Sequence, residues 1–379
     1  MGACSAASRE RSMDFSRRMV IGAAAAAPAV AALAKESPPA AEPVFGPAPA
    51  EAHLLFNENP YGPAPSAIRA MAQAASAGCY YPDAAHERLA AMIAERFRVK
   101  PEQVAIGNGS FELLSRIGLD WGAKGAIVCP ELMFDEPIRQ AEGRGAKLVR
   151  VPLAADMGVD LTAIAVAVNP DTSMVYLCNP NNPTGMLIEP AALRAFIRAL
   201  PPQVTVLIDE AYNELTNAPE QASVIDLVRE GRNVIVTRTF SKIYGMAGLR
   251  VGYSISSAEN AERIRRRATT IGCAAPGLAA ALACYQDTGF MRFSKEKVLE
   301  ARGILLDAIK GAGLRVLPSQ ANFLFVEVPD ANALRDAMAK RGIAIRGAYG
   351  KWTRWSRVST GKIEHVRRYA EALPQLVRA

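Results

Sequence analysis

The chain has 379 residues, half of them hydrophobic, which is enough for a large buried core and more than one domain. Its formal net charge is +7, of which +2 lies before Lys35 (Arg9, Arg11, Arg17 and Arg18 against Glu10 and Asp14), leaving +5 for the rest. That charge is spread without a basic block or interleaved aromatics, which argues against nucleic acid, and His53, His86, His365 and the scattered cysteines lack metal-ligand spacing.

In chain order, the first feature is an address. Ser16-Arg17-Arg18-Met19-Val20-Ile21 precedes an alanine-rich apolar stretch from Gly22 to Leu33, and Ala32-Leu33-Ala34 offers small residues for cleavage. Residues 1–34 therefore read as a secretory signal of twin-arginine type, with export to the periplasm and membrane contact only through that signal. Met13 is an alternative start. Residues 35–50 are a Pro/Ala linker and 51–78 an N-terminal arm.

From about residue 100, short β-rich runs alternate with helical patterns. Predicted strands are Ala126–Cys129, Lys147–Leu153, Met174–Cys178, Val204–Asp209, Asn233–Thr239 and Arg250–Ile255, with helices at Pro190–Leu200 and Ala258–Thr270. The alternation predicts an α/β fold, a mostly parallel sheet covered on both faces, over a large domain at 79–278. After a long helical region, about Pro276–Ala312, a second set follows: Leu314–Leu317, Asn322–Val328, Ile343–Arg346 and Ser356–Val358. It predicts a smaller α+β domain over 279–379. Cys129 and Cys178 sit in apolar strand-like runs and read as buried free thiols.

Four motifs carry chemistry. Thr239-Phe240-Ser241-Lys242 ends a strand in hydroxyls and a lysine, and Gly248-Leu249-Arg250-Val251-Gly252 follows. A lysine amine can form a Schiff base with a carbonyl cofactor, while Thr239, Ser241 and Arg250 suit a phosphate. Val206-Leu207-Ile208-Asp209-Glu210-Ala211-Tyr212 delivers an acid and a phenol at the end of a strand, where open α/β sheets bind ligands. Asp209 is the candidate partner of a pyridine nitrogen, and Glu210 reads as solvated. Asn179-Pro180-Asn181-Asn182-Pro183-Thr184-Gly185 follows another apolar strand and offers the amide of Asn182. Gly107-Asn108-Gly109-Ser110 opens a helical pattern whose N–H groups suit a phosphate, although no strand is apparent running into it.

Together, and in this order, these motifs resemble the fold-type I pyridoxal-phosphate (PLP) aminotransferases. Asn59-Pro60-Tyr61-Gly62-Pro63, Tyr81-Pro82-Asp83, the Gly107–Ser110 turn and Ser319-Gln320-Ala321-Asn322-Phe323 resemble the histidinol-phosphate aminotransferase branch. The resemblance implies pyridoxal 5'-phosphate on Lys242, Asp209 at the ring nitrogen, Asn182 and Tyr212 at the ring oxygen and Phe134 stacked on the ring. It implies Thr239, Ser241, Arg250, Gly109 and Ser110 around the phosphate, with Tyr81 arriving from the second subunit of a homodimer. It also implies Arg357 for the substrate α-carboxylate, and Arg346 and Tyr61 as further substrate residues. Phe111 stands where the branch carries an acidic residue, and Phe134 replaces the usual tyrosine.

The expected activity is transfer of an amino group between an amino acid or related amine and a 2-oxo acid. A decarboxylase or lyase on the same scaffold shares the cofactor motifs. A periplasmic solute-binding protein would share the export signal and two α/β lobes, but not Lys242 and its supporting set.

Overall fold

Continuous apolar runs, rather than alternating ones, mark strands covered on both faces. Met174-Val175-Tyr176-Leu177-Cys178 and Val206-Leu207-Ile208 are of this kind, and every one of these side chains is buried. A computed structural model describes residues 45–268 and 270–377, so the expected signal segment lies outside the described residues. The strands are β1 (Ala52–His53), β2 (Val104–Gly107), β3 (Ala126–Pro130), β4 (Leu148–Val151), β5 (Thr172–Cys178), β6 (Thr205–Asp209), β7 (Val234–Thr239), β8 (Gly252–Ile255), β9 (Phe323–Glu327), β10 (Ile343–Ala344) and β11 (Trp355–Ser359).

The main sheet has seven strands in the order β2-β8-β7-β6-β5-β3-β4. Pairings are parallel from β7 to β4, whereas β8 runs antiparallel to both β7 and β2. The carboxyl ends of β2, β3, β5, β6 and β7 therefore share one edge, and the segments leaving them carry the predicted site. An apolar cluster surrounds this sheet. A second cluster gathers β1, β9, β10 and β11 against the helices Thr288–Gly311 and Ile363–Val377. The helix Thr288–Gly311 gives Val298 to the first cluster and Ala301, Leu305 and Ile309 to the second. From Pro47 onward the chain is one compact unit. The two cores do not divide at residue 278, since Ala280, Cys284 and Tyr285 still belong to the first, and the arm contributes to both: Ala64 and Ala67 join the first, Ala52 and Leu54 the second.

Several expectations are corrected. Val104-Ala105-Ile106-Gly107 is a strand running into the Asn108–Gly109 turn; it is only four residues long and pairs solely with β8, so it carries little pattern of its own. The region 276–312 is two helices, Ala275–Cys284 and Thr288–Gly311, the second capped by Asp287 accepting the Phe290 N–H. The helix from Ala258 ends at Arg266, short of Thr270. Arg250 is not in a strand: its φ of 54° is left-handed, and β8 begins at Gly252. In the 314–317 segment only an isolated bridge forms, Val316 to Val326. β10 pairs in parallel with β1 of the arm, and Arg346 meets Arg357 in a single antiparallel bridge. Cys129 and Cys178 are buried free thiols, as expected.

Candidate active site

The site is built on β7. Its Thr239 is followed by a tight turn in which the Ser241 backbone N–H donates to Thr239 Oγ1 at 3.1 Å, and the Thr239 hydroxyl donates to Ser241 Oγ at 2.9 Å. This turn presents Lys242 into a cavity of about 670 Å³. Lys242 Nζ donates to the Asn57 carbonyl at 2.9 Å and lies 5.5 Å from the centre of the Tyr212 ring. Burial, and then the charge of Arg357, lower its pKa to about 8, so a substantial fraction of the amine is neutral near pH 8.

Asp209, at the end of β6, is 2% exposed. It accepts from the Thr237 hydroxyl at 3.1 Å and lies 4.0 Å from the Cys178 thiol, and among the described residues no guanidinium or ammonium is bonded to it. Burial raises its pKa to about 7. A buried carboxylate without a cation is costly, and a protonated ring nitrogen would relieve that cost. Its neighbour Glu210 points to the other side and is not solvated as expected. It is fully buried, pairs with Arg238 at 2.7 Å, and accepts from Ser223 and the Val224 N–H, each at 2.8 Å. Strand alternation separates the two acids: Asp209 meets Thr237 and Cys178 within reach of the Lys242 charge, and Glu210 meets Ser223, Val224 and Arg238.

A phosphate cradle lies at the head of the helix Ser110–Gly122, where free backbone N–H groups concentrate positive potential. Gly109 has a φ of 80°, and a Cβ there would run into the Arg250 guanidinium. A Cβ on Gly252 would likewise strike the Gly109–Ser110 backbone. Arg250 Nη1 donates to Ser241 Oγ at 3.2 Å and its Nη2 to the Asn108 carbonyl at 3.4 Å, joining the two halves of the cradle. Glu112 accepts from the Asn108 N–H at 2.6 Å and fixes the turn. The N–H groups of the helix start, two hydroxyls and one guanidinium match a phosphate monoester; the Lys242 amine on the cavity wall and the buried Asp209 carboxylate near it match a pyridoxal.

Around that space, the Tyr212 hydroxyl accepts from Asn57 Nδ2 at 3.0 Å. Asn182 Oδ1 accepts from Arg357 Nη1 at 2.8 Å, which leaves the Asn182 amide hydrogens to donate elsewhere. Arg357 Nη2 donates to the Leu55 carbonyl at 3.0 Å, and its buried Nε has no partner among the described residues. Phe134 and Phe111 meet edge to face at 6.1 Å on the cavity wall. Arg346 also lines the wall.

The structure thus gathers Gly109, Ser110, Phe134, Asn182, Asp209, Tyr212, Thr239, Ser241, Lys242, Arg250, Arg346 and Arg357 at one edge of the sheet. It does not bring in the other two. The Tyr61 hydroxyl accepts from the Ile363 N–H at 3.1 Å, away from the cavity, and Tyr81 projects outward, 73% exposed. One residue was missed. Asn57 bonds Lys242 through its carbonyl and Tyr212 through its amide, and it accepts from Ser359 at 2.7 Å. Its only signal is its place two residues before Asn59-Pro60.

Comparison with known proteins agrees. The family model described as aminotransferase class I and II matches residues 52–373. A histidinol-phosphate aminotransferase of Moorella thermoacetica is 34% identical over 328 residues, covering 86% of this chain and 85% of that protein. Histidinol-phosphate aminotransferase 2 of Ralstonia nicotianae is 38% identical over 315 residues, covering 81% and 84%. A solved histidinol-phosphate aminotransferase from Sinorhizobium meliloti, in complex with pyridoxal-5'-phosphate, superposes with a TM-score of 0.78 at 32% identity, covering 86% and 90%. The chain belongs to the class I and II aminotransferases, and it is a pyridoxal-phosphate-dependent enzyme of fold type I.

Proposed function

We propose that Lys242 is the residue that captures the cofactor and moves the proton at the substrate α-carbon, with Arg357 holding the α-carboxylate of the amino donor. The observation that carries this reading is a buried lysine amine and a buried guanidinium, the latter without a carboxylate partner among the described residues, lining one cavity with Tyr212 and close to Asp209. When bound, pyridoxal phosphate supplies a carbonyl for the amine and a ring that accepts electrons. Asp209 keeps the ring nitrogen protonated, Asn182 and Tyr212 bind the ring oxygen, and Phe134 packs on the ring. Thr239, Ser241, Arg250 and the Gly109–Ser110 backbone hold the phosphate. Arg346 binds a distal acid or phosphate of the donor; Tyr61 is assigned no contact with the substrate within its own chain.

The active form is a homodimer in which Tyr81 of a second copy completes the phosphate site, in keeping with its outward position here. Residues 1–34 direct export to the periplasm, an inference that rests on their sequence alone. Histidine biosynthesis is a cytoplasmic pathway, so for an exported enzyme we propose amino donors other than histidinol phosphate, with a 2-oxo acid as acceptor.

Lys242→Ala tests the assignment. The variant is expected to keep pyridoxal phosphate non-covalently, because the cradle and Asp209 remain, and to lose oxo-acid-dependent amine transfer completely. Steady-state transamination by that variant, measured with a panel of amino donors, would overturn it. Consumption of the donor without any oxo acid, with release of carbon dioxide or of an elimination product, would favour a decarboxylase or a lyase.

A further inference from the structure

Arg346 and Arg357 sit directly opposite one another, bridged by the Arg346 N–H donating to the Arg357 carbonyl at 3.0 Å. Like charges in opposed positions destabilise a β pair. Neither guanidinium has a carboxylate partner among the described residues; Arg357 bonds only to Asn182 Oδ1 and the Leu55 carbonyl. What stands by both of them is the ring of Tyr349. Its centre is 5.4 Å from the Arg346 guanidinium and 5.8 Å from that of Arg357. The ring belongs to a short hairpin, Tyr349 to Trp352, turned at Gly350 with a φ of 54°. The hairpin is held in place from two sides. Phe325 meets Tyr349 edge to face at 5.7 Å, and Lys351 pairs with Glu131 at 2.7 Å on the opposite wall.

The two arginines are not held equally. Arg357 is 8% exposed, hydrogen-bonded twice and also faces the Phe323 ring at 5.5 Å. Arg346 is exposed, and the ring of Tyr349 is its chief side-chain support. The Tyr349 hydroxyl is buried and meets no partner in good hydrogen-bond geometry among the described residues, although the Arg346 guanidinium lies near it as well as near the ring.

We propose that Tyr349 is a positioning residue for substrate selection: its ring face separates the two guanidinia and holds Arg346 where it reads a distal anion, carboxylate or phosphate, of the amino donor. The inference rests on the distal-acid role assigned above to Arg346. A ring face carries negative potential and attracts both cations, so it offsets their repulsion while fixing their spacing. Arg357 keeps its place without the ring, so the grip on the α-carboxylate is spared. The hydroxyl is dispensable.

The test uses the holoenzyme and three unreactive probes measured by calorimetry: propionate with one carboxylate, succinate with a second, and phosphonopropionate with a distal phosphonate. Tyr349→Leu is expected to weaken succinate or phosphonopropionate, whichever the wild type prefers, by roughly two- to fivefold, as loss of a cation–π contact at an exposed arginine would. Propionate should change by less than about twofold, being held by Arg357. Tyr349→Phe should keep the wild-type ratios. Arg346→Ala should match Tyr349→Leu, and the double variant should lose no more than either, because both remove one interaction. In turnover, KM for the anionic-ended donor should rise at unchanged kcat. Tyr349→Met replaces Tyr349→Leu if the latter does not fold. An unaltered ratio in the leucine variant, with a collapsed one in Arg346→Ala, overturns the role of Tyr349 and leaves that of Arg346 standing. Unaltered ratios in both overturn the distal-acid reading itself. Loss in Tyr349→Phe, or additive losses in the double variant, would show the hydroxyl or ring acting on the ligand directly and also overturn the proposal.

Discussion

At the residue scale, the chemistry turns on two buried groups pushed in opposite directions by the same desolvation. Burial lowers Lys242 to about 8 and raises Asp209 to about 7. For Asp209 the sign is definite. The unfolded carboxyl ionises near its ordinary value of 3.8, while the folded one stays protonated up to about 7. The folded state therefore binds more protons across that window, and its stability falls as pH rises from about 4 to about 7. Asp209→Asn removes this penalty. Freed of cofactor, the variant should melt above the wild type at pH 8, and the two curves should converge near pH 4. With cofactor bound, the order should reverse, since an amide cannot hold the ring nitrogen protonated; transamination should fall by orders of magnitude. Thermal melts of both forms across pH check the sign, and equal melting of the two apoproteins at pH 8 would contradict it.

At the element scale, β6 is pinned on one side by the Glu210–Arg238 pair and used on the other through Asp209. Arg238 is 4% exposed, also pairs with Glu214 at 2.9 Å, and lies over the Phe97 ring at 5.0 Å. Breaking a buried pair by removing one partner leaves an uncompensated charge and costs about 3–5 kcal/mol. Glu210→Ala is therefore expected to destabilise the protein by a few kcal/mol in denaturant titration, toward the lower end because Glu214 remains. Its cofactor absorbance, where folded, should be unchanged. A loss of cofactor affinity without loss of stability would place Glu210 in the site rather than under it.

At the scale of the whole molecule, assembly and location are open to direct measurement. If Tyr81 acts across a dimer, Tyr81→Ala and Lys242→Ala should complement when co-expressed. A mixed dimer has one site with both an intact Lys242 and a partner's Tyr81, so up to about half the wild-type activity per mixed dimer should return. No recovery in an isolated mixed dimer would place Tyr81 outside the partner's site. Export has its own test. Replacing Arg17 and Arg18 together by lysine should retain the precursor in the cytoplasm, because the twin-arginine system reads the guanidinium pair. Fractionation followed by N-terminal sequencing should find wild-type mature protein starting near Lys35.

The sequence by itself determined the cofactor and pointed to the residues proposed to bind it, because those residues sit at strand ends and tight turns whose chemistry is local. Lys242, Asp209, Asn182 and the Gly109–Ser110 turn were legible for that reason, and so were the long apolar strands of the sheet centre. What only the tertiary structure decided is what depends on residues far apart in the chain. β2 gave no local signal, since four residues gain stability only by pairing with β8. Glu210 looks like Asp209 in sequence and is separated from it only by which face of β6 each side chain takes. Asn57 becomes the hub of Lys242, Tyr212 and Ser359 only when the arm crosses the sheet edge. The opposition of Arg346 and Arg357 around Tyr349 likewise needs the chain to turn back at Gly350, and no short-range pattern encodes the distance between two guanidinia.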